Sequence, residues 1–397
     1  MAPAPTDPPA KGPSGSRAIA LDRLRGIALV GMLVHHLTDW TTGDARAVLP
    51  GWHRFALTDA AAVVFFVAAG ASMALLVASR RRRGMPRWRV GVQVGRRYGT
   101  LVPVGVALGW SLWRSPGMFG VLEALGVTVL LGAAVTAVVP RRALPVTAVA
   151  LLALGAWSEQ AVDGRQDWMS REVVGGKFPV VTYLGFVVVG VAAVRAGWHT
   201  DRRRVAGAAV LGLVATAALS ARGMDPERYP GDARFVVPGL ALTAVAAALA
   251  QARWPRALAG VDRVLRRAAT HTLGVFVAHY VLYGLLRRAG LLGQVPPALA
   301  VPLAVAFTVV ACLAAPRLPQ LPWSPRTGWR RPRGPLSGTS GRPGTTMWPR
   351  PTPAPAAPRP SPAAATPDGR AAAPGGDGRA AAVAPPTTEA PGRQPPP

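Results

Sequence analysis

Apolar runs of about 15 to 22 residues recur along this chain from residue 19 to residue 315. A run near 20 residues has the length that a lipid bilayer requires of a spanning helix. Two of the runs, at 205–219 and 235–249, are apolar on every face, which excludes a helical repeat exposed to water. Half of the 397 residues are hydrophobic and only 16% are charged. The sequence therefore predicts an all-α, polytopic integral membrane helical bundle.

The loops between the runs predict how this bundle is oriented. We predict about ten transmembrane helices, at about 19–38, 58–79, 96–113, 119–139, 143–157, 178–196, 205–220, 235–251, 270–287 and 296–315. Arginine is concentrated in every second loop, whereas the intervening loops balance their few basic residues with acidic ones. Because arginine-rich loops stay in the cytoplasm, both termini are predicted to be cytoplasmic. The expected location is the cell membrane, with multiple passes.

Composition and charge limit the other functions that the chain could have. A net charge of +27 would suit a nucleic-acid-binding protein, but the arginines lie in short loops and a Pro-rich tail, so we predict no nucleic-acid partner. The single cysteine, Cys312, and the spacing of the histidines predict no metal site. Residues 17–316 form the predicted membrane domain. Residues 1–16 are a predicted disordered tail, and residues 323–397, rich in Pro, Ala and Arg, are a second one in the cytoplasm.

The first predicted span carries ionisable groups at both ends. Asp22, Arg25 and His36 are spaced i, i+3 and i+14 and therefore share one helical face. His36 lies about 16 Å beyond Arg25 at about 1.5 Å per residue, so the arginine is predicted near the cytoplasm and the histidine near the outer surface. His35 and Asp39 are four residues apart, so a carboxylate could orient that imidazole. Charged groups inside a membrane are functional candidates by default.

Four more ionisable residues are candidates, namely His53, Asp59, Glu123 and His279. His53 and Asp59 are predicted near the outer surface, Glu123 one turn inside the outer end of the fourth span, and His279 about half-way through the ninth span. An imidazole titrates near neutral pH and can serve as a general base for an amine or a hydroxyl group. Structural interpretations stay open for each of them. The histidines could be interfacial or hydrogen-bonded core residues, and Asp59 could stabilise the start of a helix through the helix dipole.

Five short motifs resemble, in order and spacing, those of the heparan-α-glucosaminide N-acetyltransferase family. They lie at 17–29, 57–72, 120–123, 178–190 and 271–279. The first is similar to the family's opening "R…D..RG.A" signature, and the last to its closing "NSL..Y..H" element. In the third, Glu123 stands where the family has glutamine. The related acyltransferase 3 family of O-acetylating enzymes also begins with an arginine-rich first span and is a second candidate.

The resemblance implies a membrane acetyltransferase that takes acetyl from cytoplasmic acetyl-CoA and delivers it to a sugar on the far side of the membrane. The family's catalytic histidine maps onto His53, and its asparagine at the end of the first span maps onto His36. We therefore predict that His53 or His36 deprotonates the acceptor or briefly carries the acyl group. Asp59 and Asp39 are the predicted orienting carboxylates.

The predicted donor site lies at the cytoplasmic end of the first span. The residues expected to hold the CoA phosphates are Asp22, Arg25, Gly26, Arg96 and Arg97, because guanidinium forks suit phosphate oxygens and glycine allows close approach. Arg25 could instead be only a membrane anchor. The expected partners are the lipid bilayer, acyl-CoA and an envelope sugar or lipid-linked glycan, with a homodimer as a further expectation. A proton-coupled membrane transporter and a catalytically inactive membrane subunit stay open as other functions.

Overall fold

The computed structural model describes residues 14–42, 52, 55–56, 59–113, 120–162, 167, 169–176, 178–226 and 232–314. All regular elements within these residues are helical, as predicted, and none is a strand. The α-helices there are α1 (Ser14–Thr42), α2 (Asp59–Arg82), α3 (Arg87–Gly99), α4 (Leu101–Trp113), α5 (Val121–Val138), α6 (Leu144–Ala161), α7 (Val180–Arg195), α8 (Arg202–Ser220), α9 (Ala233–Gln251), α10 (Ala259–Thr270), α11 (Thr272–Arg288) and α12 (Pro297–Ala314). His53 and the predicted tail 323–397 lie outside the described residues.

Four of these helices are long and apolar enough to cross a membrane, namely α2, α5, α8 and α9. A fifth span results if α10 and α11, which meet at an angle of 90°, are counted together with the short helix Arg256–Leu258 as one broken span. Helices α7 and α12 are apolar but shorter. The chain is thus a helical membrane protein, while the number ten and the side of the termini stay predictions.

Two predicted boundaries differ from the structure. The predicted third span, 96–113, is divided because α3 ends at Gly99 and α4 begins at Leu101. Pro103 lies in the first turn of α4, where its missing N–H costs nothing, whereas in a continuous helix it would break the hydrogen-bond ladder. The second difference is α10, an additional helix that the apolar pattern did not predict because half its surface is polar.

The centre of the described bundle is the crossing of α2 and α7. A Cβ atom on Gly70 would overlap the carbonyl of Val187, and a Cβ on Gly190 would overlap the carbonyl of Val67. The two glycines therefore allow the two backbones to touch at two points. Between membrane helices, such close packing replaces the hydrophobic drive that operates in water. Phe66 is fully buried beside this crossing.

Helix α1 is the element that positions the site. Its 29 residues span about 43 Å at about 1.5 Å per residue, which exceeds a hydrocarbon core of about 30 Å, so both ends can reach polar surroundings. It packs against α2, α9, α10, α11 and α12. At Gly26, a Cβ atom would overlap the backbone of Leu265, so α10 lies directly on the first half of α1.

Candidate functional site

The second half of α1 meets α11 through two histidines. Nδ1 of His36 lies 3.2 Å from Nε2 of His279, and the two ring planes are inclined by only 20°. His279 is completely buried, whereas His36 is half-buried. In two neutral imidazoles at this distance, one nitrogen donates the hydrogen bond and the other accepts it. The structure therefore joins two of the predicted site residues, which are 243 positions apart in the sequence.

Aromatic side chains surround this histidine pair. Trp40, one turn beyond His36, stacks on both imidazoles with ring centroids 5.4 Å away and interplanar angles of 25° and 7°. Tyr280 lies 4.3 Å from the ring of His279, and Tyr283 lies 4.5 Å from the ring of Trp40. We call His36, Trp40, His279 and Tyr280 the histidine cluster. The packing of these rings against the two imidazoles restricts rotation of the imidazole side chains.

The second nitrogen of His279 is also informative. Nδ1 is buried and makes no hydrogen bond of good geometry among the described residues. The backbone carbonyls of Val275 and Phe276, one turn back on α11, face the ring. Because a carbonyl can only accept a hydrogen bond, a proton on Nδ1 of His279 is compatible with these surroundings.

Three other predicted site residues, His35, Asp39 and Asp59, lie outside the contact between His36 and His279. The ring of His35 is 5.5 Å from that of His36, and Asp39 is exposed on the same helix. The predicted pairing of His35 with Asp39 stays a prediction. Asp59 is buried as the first residue of α2, where a carboxylate interacts favourably with the helix dipole.

Glu123 caps the start of α5 and also interacts with a residue of the histidine cluster. It is buried near the start of α5, and its carboxyl group faces the backbone N–H groups of Gly120 and of Glu123 itself. This is the reciprocal half of a capping box, in which a glutamate satisfies unpaired N–H groups at a helix start. A Cβ atom on Gly105 of α4 would overlap this carboxyl group. The carboxyl group also interacts electrostatically with the phenol of Tyr280, which connects α5 to the histidine cluster.

The first half of α1 carries a second cluster, which consists of charged side chains and contains no aromatic ring. Nη1 of Arg25 lies 3.8 Å from Oδ1 of Asp22, and the carboxylate also interacts with Arg97 of α3 and Arg266 of α10. We call these four residues the arginine cluster. Arg266 also pairs with Asp262 through Nη2 and Oδ2 at 3.1 Å, so the three guanidinium groups meet two carboxylates and still leave an excess of positive charge, which suits a phosphate-bearing ligand. Arg96, the other predicted donor residue of α3, is exposed and belongs to a different face.

Two neighbouring residues have packing roles instead. Arg23 donates from Nε to Oδ1 of Asp262 at 2.7 Å and from Nη1 to the carbonyls of Ala250 and Ala252, and its guanidinium lies 5.1 Å from the ring centre of Trp254. These contacts fasten α1 to the end of α9 and to α10. Gly26 allows the backbone of α10 to approach, so the close approach predicted at this glycine is made by another helix.

Three members of the two clusters were not predicted from the sequence, namely Trp40, Tyr280 and Arg266. Trp40 could have been found, because it lies four residues after His36 and so on the same side of the helix. Tyr280 adjoins His279 in the chain, but adjacency within a helix points two side chains in different directions. Arg266 could have been separated from Arg263 and Arg267 by its position four residues after Asp262, with which it pairs, but its interaction with Asp22 depends on how α10 packs on α1.

The fold and the two clusters define a helical integral membrane protein with ionisable groups concentrated at both ends of one buried helix. The family model for the heparan-alpha-glucosaminide N-acetyltransferase catalytic domain matches residues 17–223, more than half of the 397-residue chain. The chain belongs to this family, so the predicted family is confirmed, and four of the five motifs lie within the matched residues, whereas the motif at 271–279 lies beyond them. A search of curated proteins finds no match. The family match includes α1 to α8, whereas His279, Tyr280 and Arg266 lie beyond it.

Proposed function

We propose that this protein is an integral membrane acetyltransferase that moves an acetyl group from cytoplasmic acetyl-CoA to a sugar or glycan at the outer face of the membrane. The observation that carries the proposal is the contact between His36 and His279 under Trp40. It lies on the helix whose other end holds the arginine cluster. A single helix thus connects a site suited to a phosphate-bearing donor with a site suited to proton transfer.

We propose the tautomer of His279 that carries its proton on Nδ1, which gives His36 the role of the base. With a proton on Nδ1, His279 offers the lone pair of Nε2 to His36. His36 then donates from Nδ1, and its own Nε2 carries a lone pair. An imidazole with a free lone pair and a fixed second nitrogen is suited to remove a proton from an amine or hydroxyl nucleophile. His53, which maps onto the family's catalytic histidine, remains a second candidate for this role.

The reaction needs no further group to balance. The nitrogen or oxygen of the acceptor attacks the thioester carbonyl carbon of acetyl-CoA, the carbon–sulfur bond breaks, and the CoA thiolate leaves. His36 takes the proton that the acceptor loses and returns it to the thiolate. Tyr280 and Glu123 lie on the α5 side of the histidine cluster and are positioned to line the path of the acyl group.

The arginine cluster is the proposed site for the CoA phosphates. Arg25 of α1 and Arg97 of α3 both interact electrostatically with the carboxylate of Asp22, so two helices contribute positive charge to this region. Arg25 and His36 are 11 positions apart on α1, or about 16 Å at about 1.5 Å per residue. We propose that the pantetheine arm follows this stretch of α1 towards the histidine cluster. The proposed topology has ten spans with both termini in the cytoplasm, and the proposed acceptor is an envelope sugar or a lipid-linked glycan.

The test measures acetyl transfer across the membrane by the full-length protein in proteoliposomes. Acetyl-CoA labelled on the acetyl group is supplied on one side and an amino sugar on the other, and the labelled sugar is quantified. His36→Ala is expected to slow transfer by about 10²–10⁴-fold if this imidazole is the base. His199→Ala, which removes a histidine that belongs to neither cluster, serves as the matched control and should transfer normally. Full transfer by both His36→Ala and His53→Ala would refute the assignment.

A binding measurement separates this function from that of a transporter. CoA should raise the unfolding temperature of the detergent-purified protein, because a ligand that binds only the folded state stabilises it. Arg97→Gln should weaken this effect and His36→Ala should retain it. A transporter for another solute predicts no stabilisation by CoA in any of the three proteins.

A further inference from the structure

A strongly basic surface lies where α2 ends and α3 begins. We define the basic patch as six exposed residues, namely Arg81, Arg82, Arg83, Arg87, Trp88 and Arg89. The sequence contains no acidic residue from position 60 to position 122, so this stretch carries no carboxylate of its own to neutralise the patch. None of these six residues belongs to the histidine cluster or the arginine cluster.

The positive charge is unfavourable for the start of α3. Arg81 and Arg82 lie in the last turn of α2, where the helix dipole favours a cation. Arg87 and Arg89 lie instead in the first turn of α3, at the positive end of its dipole. That turn has no acidic residue, and its N-cap residue, Pro86, makes no side-chain capping hydrogen bond. An anion beside this turn would therefore interact favourably with both the arginines and the helix.

The shape of α3 is that of a helix lying at a membrane surface. Val90, Val94 and Tyr98 are buried and spaced by four residues, so they form one inward stripe. Trp88 is 65% exposed away from this stripe, with the guanidinium of Arg89 at 5.1 Å from its ring centre. Tryptophan and arginine together are typical of the layer of lipid headgroups. Helix α3 also connects α2, which is long and apolar enough to span a membrane, to the apolar α4, and this order is consistent with a position at a membrane surface.

We propose that the basic patch binds the headgroups of anionic phospholipids. The arginines contact the lipid phosphates, and Trp88 inserts beside them at the boundary of the acyl chains. This inference is independent of the proposed acetyl transfer, because it uses neither cluster. Clusters of four or more arginines next to a transmembrane helix are suited to this kind of recognition.

The experiment uses the full-length protein in a neutral detergent, with phosphatidylglycerol or phosphatidylcholine of the same acyl chains added. The unfolding temperature is followed as a function of lipid concentration, and bound lipid is counted by native mass spectrometry. Phosphatidylglycerol should raise the unfolding temperature more than phosphatidylcholine does. Each arginine near a lipid surface contributes about fivefold to affinity, so R83Q/R87Q/R89Q should weaken phosphatidylglycerol binding on the order of 100-fold.

The matched control is R202Q/R203Q/R204Q, which removes the same charge from exposed arginines at the start of α8. It should bind phosphatidylglycerol like the unmodified protein. Equal weakening by both triple variants would overturn the proposal, since it would indicate a general effect of net charge. Because the substituted side chains are exposed, both variants should unfold at the temperature of the unmodified protein when no lipid is added.

A second pair of variants tests the tryptophan. Trp88→Ala should weaken phosphatidylglycerol binding, whereas Trp157→Ala on α6, a residue that is also 65% exposed, should leave it unchanged. Glycerol phosphate, which has the charge but no acyl chains, should not reproduce the stabilisation. Equal stabilisation by glycerol phosphate would show a site for small anions and would overturn the lipid assignment, as would the absence of any preference for phosphatidylglycerol.

Discussion

Replacing His279 by leucine should slow acetyl transfer without weakening acetyl-CoA binding. Leucine fills the buried position, but it removes the nitrogen that lies 3.2 Å from Nδ1 of His36. A buried N–H left without an acceptor costs about 1–3 kcal/mol. If this cost applies to the reactive tautomer of His36, kcat falls by about 5- to 150-fold. KM for acetyl-CoA should stay the same, because the arginine cluster lies at the other end of α1.

Glutamine at the same position separates hydrogen bonding from packing. The side-chain oxygen of His279→Gln can accept the hydrogen bond from His36, so this variant should recover much of the lost kcat. Thr243→Val controls for stability, since it removes a buried hydroxyl whose hydrogen bond is made within α9. The assay is initial-rate kinetics on proteoliposomes, with kcat and KM measured separately. Equal losses in the leucine and glutamine variants, or a raised KM with unchanged kcat, would refute the positioning role.

Three further predictions concern the first half of α1. Arg97→Gln should raise KM for acetyl-CoA by at least about 10-fold with kcat unchanged in initial-rate assays, because a hydrogen bond to a charged group contributes about 1.5–3 kcal/mol. Gly26→Ala should lower the free energy of unfolding by about 1–3 kcal/mol, measured by thermal unfolding in detergent, because its Cβ overlaps the backbone of α10. Asp262→Asn should lower the same free energy by about 1.5–3 kcal/mol, because Arg23 and Arg266 both lose their charged partner.

Each of these predictions has a control and a contradicting result. Gly207→Ala adds a methyl group in open space within α8 and should stabilise the protein by about 0.5–1 kcal/mol. If it destabilises the protein as much as Gly26→Ala does, the close contact at Gly26 is not the cause. Arg96→Gln should leave KM unchanged, and a rise equal to that of Arg97→Gln would contradict the arginine cluster. An Asp262→Asn protein as stable as the original would show that Arg23 is held by the carbonyls alone.

The sequence predicted those features that depend on one helix at a time. The predicted ninth span, 270–287, corresponds closely to α11, because an apolar run of that length usually forms one continuous helix. Asp22, Arg25 and His36 share a face as a matter of helical period, and Asp22 and Arg25 are indeed in contact. The split between α3 and α4 was missed because an apolar pattern says nothing about where a proline ends a helix.

Features that depend on contacts between helices could not be predicted. Arg23 and Arg25 look alike in the sequence, but two residues turn a helix by about 200°, so one faces Asp262 and the other faces Arg97. The contact of His36 with His279 joins residues that no local period relates. Glu123 was predicted as a site residue on its charge alone, whereas its capping of α5 depends on the local backbone.

The interlocked glycines of α2 and α7 restrict how this bundle can change shape. A shift of either helix by one residue would bring Ala69 or Ala71 to the place of Gly70, and an added methyl group would meet the carbonyl of Val187. We therefore expect α2 and α7 to move as one rigid body. A change in how the two clusters open to the two sides of the membrane would then involve α1, α10 and α11 tilting against that body, since both clusters lie on or beside these three helices.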